Sequence, residues 1–126
     1  MVNTYSLSFL IMAVTVGISL LAWQKPAWLD AMMMSPYRID RKKEYWRFIT
    51  SGFIHADFAH LFFNLFSFYF FGTQLEYIFG IIFPGFGAEV FILFYLLAIL
   101  VADLPTYFKQ RNNPYFNSLG ASGAVS

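Results

Sequence analysis

Residues 58–80 read FAHLFFNLFSFYFFGTQLEYIFG. The run is apolar enough to cross a bilayer, yet it carries His60, Asn64, Ser67, Gln74 and Glu76. As a helix rising 1.5 Å per residue it covers about 34 Å, against a hydrocarbon core of about 30 Å. Polar and ionisable groups at that depth are costly, and they usually face a bundle interior or a water-filled cavity. The stretch therefore predicts both a membrane span and a neighbour for it to pack against. His60 and Asn64 stand at i and i+4, one above the other on one helical face. Both side chains can donate hydrogen bonds. Two convergent donors suit a developing oxyanion; the plainer reading is a hydrogen-bonded packing pair between helices.

Composition agrees that lipid is the solvent. The chain of 126 residues is 59% hydrophobic and 22% aromatic but only 12% charged, with mean hydropathy +0.58. Soluble domains carry about 25% charged residues. A formal net charge of +1 gives no basic face for nucleic acid. With no cysteine, disulfides, Cys-ligated metals and cysteine catalysis are excluded. Two further stretches can span: residues 4–23, and about residues 86–102 around AEVFILFYLLAILVA. The first has no preceding Lys or Arg and is too long for a signal peptide, so it reads as a retained span. The class is all-α: a polytopic transmembrane helical bundle of three spans, with the start of a fourth at about residue 118.

Residues 24–57 form a long connection punctuated by Pro26 and Pro36, and it holds six of the eight Lys and Arg. The connection after the second span, around FPGFG, has none. The third, DLPTYFKQRNNPYFN, holds Lys109 and Arg111 and the turn formers Pro105, Asn112, Asn113 and Pro114. Positive-inside reasoning places the first loop in the cytoplasm. In EYWRFIT, Trp46 and Arg47 read as interfacial anchors, with the arginine snorkelling.

HADFAH, residues 55–60, raises a metal site with His55 and His60 as ligands. Five residues apart on a helix is about 140° apart, where a zinc pair wants i and i+4. No HExxH occurs, and no cofactor or metal is expected. Glu76 falls near the far end of the second span, where a structural role meeting a neighbouring helix end, a loop or headgroup water is the reading.

NSLGASGAVS, residues 117–126, places Ser122 between Gly120 and Gly123. Small residues allow close helix packing. The functional alternative puts Ser122 at the start of a fourth helix, where unpaired N–H groups can stabilise an anion and a hydroxyl can attack a carbonyl once a base takes its proton.

Taken in order, WR at 46–47, HADFAHLFFN at 55–64, Phe71–Gly72 with Glu76, and GASG at 120–123 resemble the rhomboid family of intramembrane serine proteases. The likeness covers about residues 44–126. It implies Ser122 as nucleophile, with an oxyanion site made by the serine's own N–H, His60 and Asn64. It implies structural roles for Trp46, Arg47, His55, Glu76, Gly120 and Gly123. The implied substrates are transmembrane segments of membrane proteins, cut within the lipid bilayer by a Ser–His dyad. The implied location is a multi-pass membrane protein, of the plasma (inner) membrane if bacterial.

The family's base is a histidine on a sixth helix, and no such motif occurs here. The chain therefore reads as the N-terminal part of one rhomboid-like domain, whose base lies outside it. The 126-residue piece alone is expected not to hydrolyse peptide bonds. A rhomboid-like pseudoprotease that binds or dislocates membrane clients is the alternative. The resemblance also implies that the first loop faces outside, against the positive-inside reading, and the family placement is preferred.

Overall fold

The first span ends at Gln24, and two prolines then start the helices that carry the chain across one end of the bundle. The computed structural model describes residues 6–118. It runs α1 (Ser6–Gln24), α2 (Pro26–Met32), α3 (Pro36–Lys42), α4 (Arg47–Thr50) with a 3-10 turn at Ser51–Phe53, α5 (Phe58–Ile82) and α6 (Gly87–Gln110). Proline is suited to the first helical position because its missing N–H would have no partner there, and its φ is preset; Pro26 and Pro36 both use it. Lys43, in the left-handed region at φ 60°, ends α3. Asp57 caps α5, its carboxylate accepting the His60 N–H at 2.9 Å. Gly85, at φ +87°, sits in the corner between α5 and α6.

The helices α1, α5 and α6 are long and apolar enough to cross a membrane. They alternate in direction. Trp23, near the end of α1, packs on Phe58 at the start of α5, while Leu7 and Ser8 meet Glu76 near its far end. On the other side Phe79 packs on Phe91 and Phe94, and Phe68 on Tyr95. The first and third connections therefore share one end of the bundle, and the α5–α6 corner lies at the other. All eight Lys and Arg belong to the first end.

Few apolar residues are buried; they include Ala22, Leu61, Phe91 and Ile99 within the spans and Met34, Ile39 and Ile54 in the first connection. Phe62, Phe63, Phe66, Phe70 and Phe71 are exposed on α5, as suits a helix facing acyl chains. The close approach of α5 and α6 depends on glycine. A Cβ on Gly87 would fall 2.7 Å from the Gly80 Cα and the Phe79 carbonyl oxygen.

Span boundaries differ from the sequence reading at one place. The third helix does not stop near residue 102 but continues to Gln110, through Pro105. Proline removes one backbone hydrogen bond from a helix interior, but tertiary contacts hold this stretch helical. Asp103 and Thr106 are buried, and the Tyr107 hydroxyl donates to Asp40 Oδ1 at 3.2 Å. The segment after it is a turn, and its last described residue, Ser118, pairs with Met34 in an isolated antiparallel bridge. The expected fourth helix lies outside the described residues.

Candidate functional site

The polar stripe of α5 sits on a definite flank. At about 100° per residue, Leu65, Tyr69 and Glu76 turn to one side of the Leu61 direction, and His60, Asn64, Ser67 and Phe71 to the other. The first set meets α1: Glu76 binds its first turn and Phe9 packs on Tyr69. Phe68 and Phe79, between the two sets, meet α6. The stripe therefore runs down the side of α5 away from α1. The His60 side chain is 51% exposed, Asn64 is half-buried and Ser67 is exposed. Its flank is open among the described residues. His60 Nδ1 lies 3.4 Å from Asp57 Oδ1, which leaves Nε2 as the ring nitrogen turned away from the cap.

His55 does not share a site with His60. It is 1% exposed, and Ser19 and Trp23 of α1 hold it. The Ser19 hydroxyl donates to the Phe53 carbonyl at 2.9 Å and lies 3.2 Å from His55 Nδ1. Because the hydroxyl proton is already used, Nδ1 must carry the proton and donate to Ser19 Oγ. The Trp23 indole N–H donates to the His55 carbonyl at 2.7 Å. Nε2 is then a bare acceptor, buried, with no partner among the described residues. Burial first, and then the nearby His60, push the His55 pKa below its ordinary value. Among the described residues, no group of three or more potential metal ligands forms.

Arg47 does not snorkel. It is 2% exposed and ties the first connection together. Its Nε donates to Glu44 at 2.8 Å, and Nη1 donates to the carbonyls of Asp30 at 2.6 Å and Met33 at 2.9 Å. A planar guanidinium can serve several acceptors at once, which a lysine cannot copy. Trp46 is 52% exposed, its indole N–H donating to the Ala31 carbonyl. Next to the Met33 carbonyl, Met34 exchanges two backbone bonds with Ser118, at 2.9 and 3.0 Å. Arg47 thus braces the strand of chain to which the third connection is pinned. Ser122, Gly120 and Gly123 lie outside the described residues.

Glu76 is buried and accepts from the Leu7 N–H at 3.0 Å, the Ser8 N–H at 2.9 Å and the Ser8 hydroxyl at 2.7 Å. The first turn of a helix leaves its N–H groups unpaired and favours negative charge. Glu76 supplies both from another helix. One buried polar pair escaped the sequence reading. Ser51 Oγ lies 3.4 Å from Asp103 Oδ2, with Asp103 4% exposed. A signal existed: Ile99, Asp103 and Thr106 repeat at i, i+4 and i+7, one face of a helix. Reading Pro105 as a helix end hid it.

Three apolar spans, joined on one side by a helical platform and carrying buried polar groups, define a multi-pass integral membrane protein. Residues 42–126 match the family described as "Rhomboid domain", and the chain belongs to the rhomboid family. A protein of Bacillus subtilis (strain 168), named "Putative rhomboid protease YdcA", is 33% identical over 82 residues, which is 65% of this chain. The chain spans 37% of the length of that relative. No solved structure matches significantly.

Proposed function

We propose that this chain is part of an intramembrane serine endopeptidase that cuts transmembrane segments of other membrane proteins. Ser122 is its nucleophile; Ser122 N–H, His60 and Asn64 hold the oxyanion; a histidine beyond residue 126 is the base. The observation that carries the reading is the Met34–Ser118 pairing. It pins the third connection at the end of the bundle that holds the first turn of α5, with His60. Four residues reach at most about 14 Å, which keeps that end within reach of a nucleophile at Ser122. The open flank bearing His60 and Asn64 supports the reading further. A helix following residue 118 would cover it, and would bring the small residues of GASG against α5.

In this mechanism the base withdraws the Ser122 proton as Oγ attacks the scissile carbonyl. Negative charge develops on the carbonyl oxygen. His60, through Nε2–H, and Asn64, through its amide, donate to it. The base then gives its proton to the leaving amine, and water hydrolyses the acyl-enzyme. Both donors start from helix α5, whose first turn is fixed by the Asp57 cap. Loss of one oxyanion donor typically costs about 10²–10³ in kcat. His60→Ala and Asn64→Ala in the full-length protein, assayed on a transmembrane substrate in proteoliposomes, should each lower kcat on that scale. Unchanged turnover in both would remove them from the oxyanion site.

A further inference from the structure

We propose that the end of the bundle built by α3 and the end of α6 is a binding site for the phosphate group of an anionic phospholipid. Two cationic runs meet there. Arg41, Lys42 and Lys43 close α3, and Lys109 and Arg111 close α6. The runs are joined, because Arg41 Nη2 donates to Asn112 Oδ1 at 3.0 Å and Tyr107 donates to Asp40. Arg41 is itself held, by Asp40 at 3.4 Å and over the Tyr37 ring at 5.2 Å. It acts as the strut between the runs.

The remaining four cations, Lys42, Lys43, Lys109 and Arg111, are exposed and make no ion pair among the described residues. Other cations of this end are engaged differently. Arg38 bonds Asp30 at 2.9 Å, Arg47 is buried on Glu44, and Lys25 lies over Trp28 at 4.8 Å. Two acids flank the patch, and both are engaged: Asp40 by Arg41 and Tyr107, and Glu44 by Arg47.

The surroundings select a lipid over a soluble anion. Tyr45, Trp46, Phe108 and Tyr115 are exposed at the same end, Tyr115 by 90%. Amphipathic aromatic rings are enriched at headgroup level, at the boundary of the hydrocarbon core. The cations therefore stand at the depth of lipid phosphates, and basic clusters next to a span attract anionic lipid. A zwitterionic lipid offers the same phosphate with a neutralising amine beside it.

The test uses the full-length protein in mixed micelles of phosphatidylglycerol and phosphatidylcholine, with bound lipid counted by native mass spectrometry. The protein should retain phosphatidylglycerol in preference to phosphatidylcholine. Replacing Lys42, Lys43, Lys109 and Arg111 by Gln together should weaken that preference about tenfold or more, since each contributes a separate attraction. Lys25→Gln, a cation of the same end but outside α3 and α6, should leave it. If the fourfold variant does not fold, Lys109→Gln with Arg111→Gln carries the test, with a several-fold loss expected. Equal retention of both lipids by the unmodified protein would overturn the proposal. So would a preference unchanged in the patch variants, or lost equally in the control.

Discussion

Arg47→Lys should loosen the platform that holds Ser118. The guanidinium makes three bonds, to Glu44 and to the carbonyls of Asp30 and Met33. Hydrogen bonds to charged groups contribute about 1.5–3 kcal/mol each, and such values are not additive. Truncation to Ala removes all three and leaves Glu44 without its cation. Breaking a buried pair in this way costs about 3–5 kcal/mol. An ammonium keeps the charge but reaches fewer acceptors, so Arg47→Lys should cost about 1–3 kcal/mol. That is a large part of a stability of about 5–15 kcal/mol. The loss should also be local. The Met33 carbonyl released by the variant adjoins Met34, whose N–H and carbonyl pair with Ser118 at 2.9 and 3.0 Å. At about 1.4 kcal/mol per tenfold, amide exchange at Met34 and Ser118 should quicken by about 5- to 100-fold. The assay is hydrogen exchange in detergent micelles, with SDS titration for global stability. Stability within about 0.5 kcal/mol of the parent, with exchange at Ser118 unchanged, would refute the reasoning.

Four more outcomes follow from other positions. Glu76→Gln offers one acceptor oxygen where two served, and turns an amide toward an N–H; SDS titration should show a loss of about 1–3 kcal/mol, with faster exchange at Leu7 and Ser8. Gly87→Ala places a Cβ 2.7 Å from the Gly80 Cα and should cost about 1–3 kcal/mol by the same titration. Gly17→Ala, where nothing lies within 4 Å, should be neutral or stabilising. His55, held below its ordinary value of 6.5 in the folded chain, makes stability depend on pH. As pH falls the unfolded chain takes up the proton first, so the contribution is complete above 6.5 and is lost as pH falls through the folded value. His55→Phe should flatten that part of the stability–pH curve.

The sequence made the three spans legible because each is an apolar run of spanning length, and that signal needs no tertiary knowledge. It also located Glu76 at the far end of α5, though not its partner, since which helix end comes to it is decided by antiparallel packing. The end of α6 was not legible. Local proline and asparagine signals spoke for a loop, and burial of Asp103 and Thr106 overrode them. Arg47 misled for a similar reason. Next to Trp46 in sequence it reads as an interfacial pair, but the carbonyls that bury it belong to Asp30 and Met33. The pairing of Met34 with Ser118 joins residues with no pattern between them, so nothing local announces it.

In the proposed function Ser122 performs nucleophilic attack on a transmembrane substrate. The direct measurement is cleavage of a transmembrane segment by the full-length protein in proteoliposomes, beside its Ser122→Ala variant, with thermal unfolding to show that both fold alike. The parent should cleave and the variant should not, while the unfolding of the two is the same. Equal cleavage by a folded Ser122→Ala protein, or none by the folded parent on any transmembrane segment offered, would contradict that role of Ser122.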